Sequence, residues 1–396
     1  MSMPEAQAMP GSQSQLPAAP ANLRRTRSDV DSDLDDEPVT KKTKAPSHPL
    51  HASAAKYGIM CELWRDISMI IATGFDRPAN APRENFSPKE NRYYDLFQCL
   101  LEEVPNLPAL IQVEGGIPAI EFGRTKMRNT AVYMVKEHIG GWRADLGNTA
   151  EFEKSRRGFH NPACGRLLCP QMYDYNEEMV RNALRDGRPS HRAGPKDLPM
   201  LLWENETVDS DDLLRGFCRN VLLYKAAAAV LFGPKAALHM GQGTGEAHGP
   251  PGQVGNGKNT KPRAYVWHVN KTTPALIGAC AVLVHFALSS QETMHPGGTA
   301  GKWPYQSFYQ HLVHFIREVM PVEQRDDLLL SWDQRLFGFY ADSDSSDNDE
   351  DDNTDDTSHG KRPVSVLKAM CAQIGHGSAA TRVSGHLERG PLPSTQ

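Results

Sequence analysis

Little in this chain points to a known chemistry. Its seven cysteines, at 61, 99, 164, 169, 218, 280 and 371, are odd in number and follow no regular spacing. They do not read as the disulfide framework of a small secreted domain. The N-terminus, MSMPEAQAMPGSQSQLPAAP, has no basic n-region and no continuous apolar h-region, so it is not read as a secretory signal. The longest apolar run, Ala275–Leu288, is short for a bilayer span and reads as a buried helix. No HExxH, GxSxG or 2-His-1-carboxylate pattern occurs. Strand signals are scarce, and no internal repeat is visible. These gaps exclude membrane-spanning and disulfide-stapled classes and leave a soluble, reduced, intracellular chain as the expectation.

The folded part also lacks charge of one sign. The net charge of −5 comes from the ends. Residues 342–356 carry nine acids and no base, whereas residues 361–396 carry five bases and one acid. The remainder is close to neutral. A domain that grips nucleic acid by its phosphates normally shows a basic excess, so nucleic acid is not expected to bind through the domain core.

Composition then marks the boundaries. Of the 32 glycines and 29 prolines, 28 lie in residues 1–52, 233–262 and 342–396, most densely in 233–262. Residues 1–52 hold too few large apolar side chains to fold and read as a disordered arm. Within that arm, Arg24, Arg25 and Arg27 are separated by an acidic stretch from Lys41, Lys42 and Lys44. This arrangement suits a bipartite import signal read by a nuclear import carrier; the plainer reading is a charged tail. Residues 342–396 read as a disordered acidic tract and tail. Ser345, Ser346 and Thr354 lie there among acids that suit an acidophilic kinase.

Between the arms lies one helical domain, 53–341, carrying a Gly-rich insertion at 240–262. The expected fold is mainly α: a single irregular multi-helix domain with disordered N- and C-terminal arms. Ile59, Met60, Leu63, Trp64, Ile67, Ile70 and Ile71 predict a helix over 56–73. Ser87, Pro88 and Glu90 form a start signal for the next helix. Further helices are expected over 118–139, 176–186, 210–232, 304–320 and 322–337, with one more opened by Thr273-Pro274, about eight in all. The helix opened by Thr273-Pro274 is apolar almost all round and belongs at the centre. Residues 142–175 read as irregular. MLLWE (200–204) and RAYVWHV (263–269) are the two strand candidates, the first equally an extended anchor.

Four groups of residues deserve a chemical reading. Gly252, Gly257 and Lys258 resemble a P-loop, but Asn259 stands where Ser or Thr should hold magnesium and no strand precedes the loop. No cofactor is therefore expected. His160, Cys164 and Cys169 are the metal candidates, with Asp174 as a possible fourth ligand. A closed zinc site needs four ligands, so the expected metal is none, with Cys169 packed and His160 exposed. His311 and His314, with Ser307 and Glu318 nearby, are read as lying on a polar helix face. Arg157 and Arg166 could fork onto a phosphate or carboxylate, but tying the loop to Asp174, Glu177 or Glu178 is favoured.

The segment 157–187, RGFHNPACGRLLCPQMYDYNEEMVRNALRDG, is the most distinctive stretch. At Arg157-Gly158-Phe159, Arg166-Leu167-Leu168-Cys169-Pro170 and Tyr173-Asp174 the chain resembles an uncharacterised domain-of-unknown-function family of mushroom-forming basidiomycete fungi. The resemblance extends through Arg185-Asp186-Gly187, Leu222–Phe232 and Thr273–Ser290. Upstream, Tyr93-Tyr94 before Leu96-Phe97 also fits, so it covers about residues 90–340. It implies a fungal source and a domain boundary, and it transfers no activity, cofactor or functional residue. The expected function is a non-enzymatic, nuclear protein-interaction module. Alternatives are an enzyme with a cleft near 157–175, a nucleic-acid-associated protein linked to mobile elements, and a cytoplasmic location. Its expected partners are proteins, with no membrane. The segment 157–175 itself is expected to form a structured loop lining the core.

Overall fold

Two acidic side chains divide the first apolar stripe into two helices. In the computed structural model, which describes residues 48–341 except 105, 114, 148–151, 192, 241–260 and 298–301, α1 (Leu50–Met60) stops at Cys61. Glu62 then folds back to accept the N–H groups of Trp64 (2.9 Å) and Arg65 (3.0 Å). Asp66 caps α2 (Ile67–Asp76) by accepting from Ser68 (2.7 Å) and Met69 (3.2 Å). The single helix expected over 56–73 is thus corrected to two, because a carboxylate that can cap competes with helix continuation. The N-terminal arm up to residue 47 with its import clusters, the acidic tract and tail, and most of the Gly-rich insertion lie outside the described residues. Residues 50–52, read as the end of the arm, instead open α1, with Leu50 buried.

α3 (Pro88–Glu103) begins with the capping box read from the sequence: Glu90 N–H donates to Ser87 Oγ (3.3 Å), and Ser87 N–H donates to Glu90 Oε2 (2.8 Å). A short α4 (Leu107–Gln112) leads to α5 (Gly116–His138), which packs along α1. A succession of 3₁₀ turns follows. The stretch expected to be irregular contains α6 (Pro162–Leu168), capped by Asn161, before α7 (Glu178–Arg185). Gly187, just past α7, adopts φ +64°, which suits glycine at a helix end.

α8 (Val221–Leu231) is shorter than the helix expected over 210–232. Gly216 at φ +71° and Cys218 at φ +57° turn the chain left-handed ahead of it. The backbone is held there from outside: the buried Trp332 Nε1 donates to Cys218 O (2.9 Å), and Asn220 caps the new helix through Leu222 N–H (3.0 Å). α9 (Pro234–His239) and α10 (Arg263–Val266) are short. The strand candidate 263–269 is therefore corrected: Val266 N–H and Trp267 N–H bond locally to Pro262 O and Arg263 O. The other candidate, 200–204, is a 3₁₀ turn at Met200–Leu202 followed by an isolated bridge from Trp203 to Phe217. Leu201, Leu202 and Trp203 are buried, so the extended-anchor reading of this segment fits better than the strand.

α11 (Pro274–Leu288) runs through the middle. Every residue from Ala275 to Leu288 is buried, against α1, α5, α6, α8 and α12 (Tyr305–His314). Thr273 Oγ1 accepts from Leu276 N–H (3.1 Å) and donates to Met60 O (2.6 Å), so one hydroxyl starts α11 and secures the end of α1. Gly278 lets α12 close in, since a Cβ there would lie 2.6 Å from Val313 Cγ2. α12 widens into a π-helical turn, Phe315–Val319, and after Pro321 comes α13 (Val322–Ala341). Among the described residues there are thirteen α-helices and no β-strand, only two isolated bridges. The excess over the eight expected is mostly short helices that hydrophobic periodicity cannot register.

Burial concentrates in two cores. The larger surrounds α8 and α11 and includes Trp142, Leu167, Leu223, Phe286, Phe308 and Trp332. The smaller joins α1 to α5 through Tyr57, Ile70, Phe97, Leu100, Leu107 and Ile120. Each of these large apolar side chains contributes roughly 1.5–3 kcal/mol on burial. Among the described residues no helix is long and apolar enough to cross a membrane.

Candidate functional site

The distinctive loop closes the C-terminal end of α11. A helix leaves its last carbonyls without intrahelical partners, and cations are favoured there. Arg157, buried, donates from Nη1 to Ala287 O (2.8 Å) and Lys136 O (3.3 Å), and from Nε and Nη2 to Phe152 O (3.1 and 2.9 Å). Its guanidinium also lies 4.0 Å from the centre of the Phe152 ring. Lys154 donates from Nζ to Phe286 O (2.5 Å), Ser289 O and Ser289 Oγ (3.3 Å). Burial, reinforced by the charge of Arg157, lowers the Lys154 ammonium to about 7.

Behind this cap lies His285, on the buried side of α11. Its ring stacks on Trp303 with centroids 4.2 Å apart and meets Tyr305 edge-on. Burial, then the nearby Lys154, pushes the imidazole down to about 3. Among the described residues Nδ1 finds no hydrogen-bond partner. The hydroxyls of Ser289 and Tyr305 meet at 3.2 Å. Polar groups converge here, but they are packed within the protein and serve as a structural lock.

The sequence candidates separate in space. Cys164 is fully buried and Cys169 points its thiol at Pro170 O (3.5 Å) and Tyr173 O (3.6 Å), while His160 is exposed. Burial pushes both thiols up to about 12. Among the described residues no group of three or more His, Cys, Asp or Glu is placed to hold a metal ion. Arg166 pairs with Asp145 (3.7 Å) and Glu206 (3.6 Å), which Arg143 also binds. The expected tie to Asp174, Glu177 or Glu178 is thereby corrected: the partners come from two distant loops, beyond the reach of local spacing.

A second charged group lines a crevice between α3 and the π-helical turn, a distortion that often marks function. Arg92 Nη2 lies 2.7 Å from both Glu318 Oε1 and His314 Nδ1. Burial would raise the Glu318 carboxyl, but the Arg92 hydrogen bond outweighs it and holds the group below its ordinary value. Cys61, Glu62, Arg65, Tyr309 and Arg317 line the same crevice. The free volume is about 20 Å³, room for one water molecule. Of the two sequence-singled histidines, only His314 reaches this group.

The outer face of α5 is exposed. Phe122 (53 % exposed) and Tyr133 (61 % exposed) border a shallow groove completed by Thr125, Lys126, Asn129 and Thr130. Phe122 packs against the His51 ring at 4.9 Å, and Lys126 Nζ lies 5.8 Å from its ring centre. Sequence reading found the helix but not this face. Its signal was the i, i+4, i+7, i+11 spacing of Phe122, Lys126, Asn129 and Tyr133, which mixes polar and aromatic residues and so marks no apolar stripe.

No curated protein and no solved structure matches the chain. A family model does match, over residues 122–337: the family of unknown function DUF6698.

Proposed function

We propose that this chain, which belongs to the family of unknown function DUF6698, is a nuclear protein-interaction module that docks a partner protein on the outer face of α5. The observation that carries this reading is the exposed Phe122–Tyr133 groove. A groove rimmed by two large aromatic side chains, each more than half exposed, offers a partner apolar surface to cover. Aromatic residues of this kind dominate binding energy when a partner covers them. The occupant is an amphipathic helix whose apolar side chains cover the two rings and whose carboxylate meets Lys126. A non-catalytic role is supported by the central loop, whose Arg157 and Lys154 are engaged with backbone carbonyls.

Changing Phe122 and Tyr133 together to glutamate is expected to lower the thermal unfolding midpoint only slightly, because both side chains are more than half exposed. Proteins that co-purify with the parent chain from a fungal cell should fall roughly tenfold with the double variant. Identical sets of co-purifying proteins, or conversion of a parent dimer to a monomer, would contradict the proposed partner.

Nuclear location rests on the two basic clusters of the N-terminal arm. Acidic grooves on an import carrier would bind Arg24, Arg25 and Arg27 together with Lys41, Lys42 and Lys44. Alanine at the three lysines should move a fluorescent fusion from nucleus to cytoplasm. Nuclear accumulation of that variant, or a parent that stays cytoplasmic, removes the nuclear part of the proposal and leaves the docking face standing.

A further inference from the structure

The four buried cysteines, 164, 169, 218 and 280, all have their thiols raised by burial. Cys61 and Cys99 differ. Both are half-buried, and their side chains share a hydrogen bond. Cys61 follows the last turn of α1, and Cys99 lies in the fourth turn of α3. Two further cross-links hold these helices in register beside the pair: Tyr57 Oη donates to Leu96 O (3.3 Å), and Lys56 pairs with Glu103 (2.8 Å). Cys61 also lines the charged crevice, and Cys99 is itself only partly buried.

The electrostatics assign different roles to the two sulfurs. The Cys61 hydrogen bond, against opposing burial and with help from Arg317, lowers the Cys99 thiol below its ordinary value. The same hydrogen bond, with burial, raises Cys61. The surrounding carboxylates disfavour ionisation at both sulfurs: Glu103 adds to the rise at Cys61, and Glu102 and Asp95 oppose the fall at Cys99. Cys99 is the more readily ionised sulfur, and the thiolate is the nucleophile.

We propose that Cys61 and Cys99 form a peroxide-reactive dithiol that closes reversibly into a disulfide joining α1 to α3. The Cys99 thiolate attacks one oxygen of hydrogen peroxide. An S–O bond forms, the O–O bond breaks, and the departing hydroxide leaves as water after taking a proton. The Cys61 sulfur then attacks the Cys99 sulfenic acid. The S–S bond forms, the S–O bond breaks, and a second water carries away the Cys61 proton. Two thiols and one peroxide thus give one disulfide and two waters. A dithiol reductant reverses the oxidation.

The test uses the full chain carrying Cys371→Ser, treated with stoichiometric hydrogen peroxide, alkylated and digested for mass spectrometry. The expected product is a peptide linking Cys61 to Cys99, with a mass loss of about 2 Da per chain that dithiothreitol restores. In Cys61→Ser, dimedone should label Cys99 roughly tenfold faster than any of the four buried cysteines. The parent chain needs no substitution at the pair, so its linked peptide reports even if that variant unfolds. The proposal is overturned if the parent gives no Cys61–Cys99 peptide. It is equally overturned if Cys99 joins only intermolecular disulfides or reacts no faster than the buried thiols.

Discussion

Replacing Arg157 with methionine is expected to destabilise the protein by ~3–5 kcal/mol, read as a fall in the urea midpoint at constant slope. The side chain is buried and donates to the carbonyls of Phe152, Lys136 and Ala287. Methionine fills much of the same volume but donates nothing, so several buried acceptors lose their partner together. Arg157→Lys should recover only part of the loss. An ammonium keeps the charge at the end of α11, but it lacks the planar fork that reaches Phe152 O and Ala287 O at once. A cost below ~1 kcal/mol for the methionine variant would mean that water satisfies those carbonyls.

Acid is expected to destabilise the protein through His285. Its folded value is pushed down to about 3 by burial and then by Lys154, whereas an unfolded histidine titrates near ~6.5. Between those two values the unfolded chain binds a proton that the folded chain excludes, so stability rises with pH across this window. The contribution is fully present above pH ~6.5 and is lost as pH falls toward ~3, at most ~3–5 kcal/mol over the whole range. His285→Phe keeps the stack on Trp303 (centroids 4.2 Å apart in the parent) and removes the titrating group. The parent should lose ~2–3 kcal/mol more than this variant when unfolding is compared at pH 7 and pH 4.5. Equal losses in the two proteins would show that other groups carry the acid sensitivity.

These two positions were only partly legible beforehand. The sequence favours a structural role for Arg157 but points to Asp174, Glu177 and Glu178 as its partners. Spacing along the chain ranks nearby acids first, whereas the acceptors are backbone carbonyls of α5, α11 and Phe152. His285 sat inside a helix read as central and passed as one polar residue in an apolar run. Its lowered pKa depends on burial against Trp303 and Tyr305 and on Lys154, which come from two other segments.

Helix ends fell on both sides of the same line. Ser87, Pro88 and Glu90 start α3 as read, and Thr273 with Pro274 starts α11 as read, because each cap acts within four residues of its own chain. Asp66 and Asn220 are caps of the same kind. They were passed over because the apolar periodicity runs straight across them.

The sequence by itself determined a mainly helical domain, the central place of the Pro274–Leu288 helix, and the family. Hydrophobic period, capping side chains and proline placement are local, and they act before any tertiary contact forms. The tertiary structure alone decided the left-handed turn at Cys218 held by Trp332, the pairing of Cys61 with Cys99, and the outward turn of Phe122 and Tyr133. Each of these depends on which distant segment packs alongside. An aromatic ring or a thiol has the same local preferences whether its neighbour is core, another thiol or water.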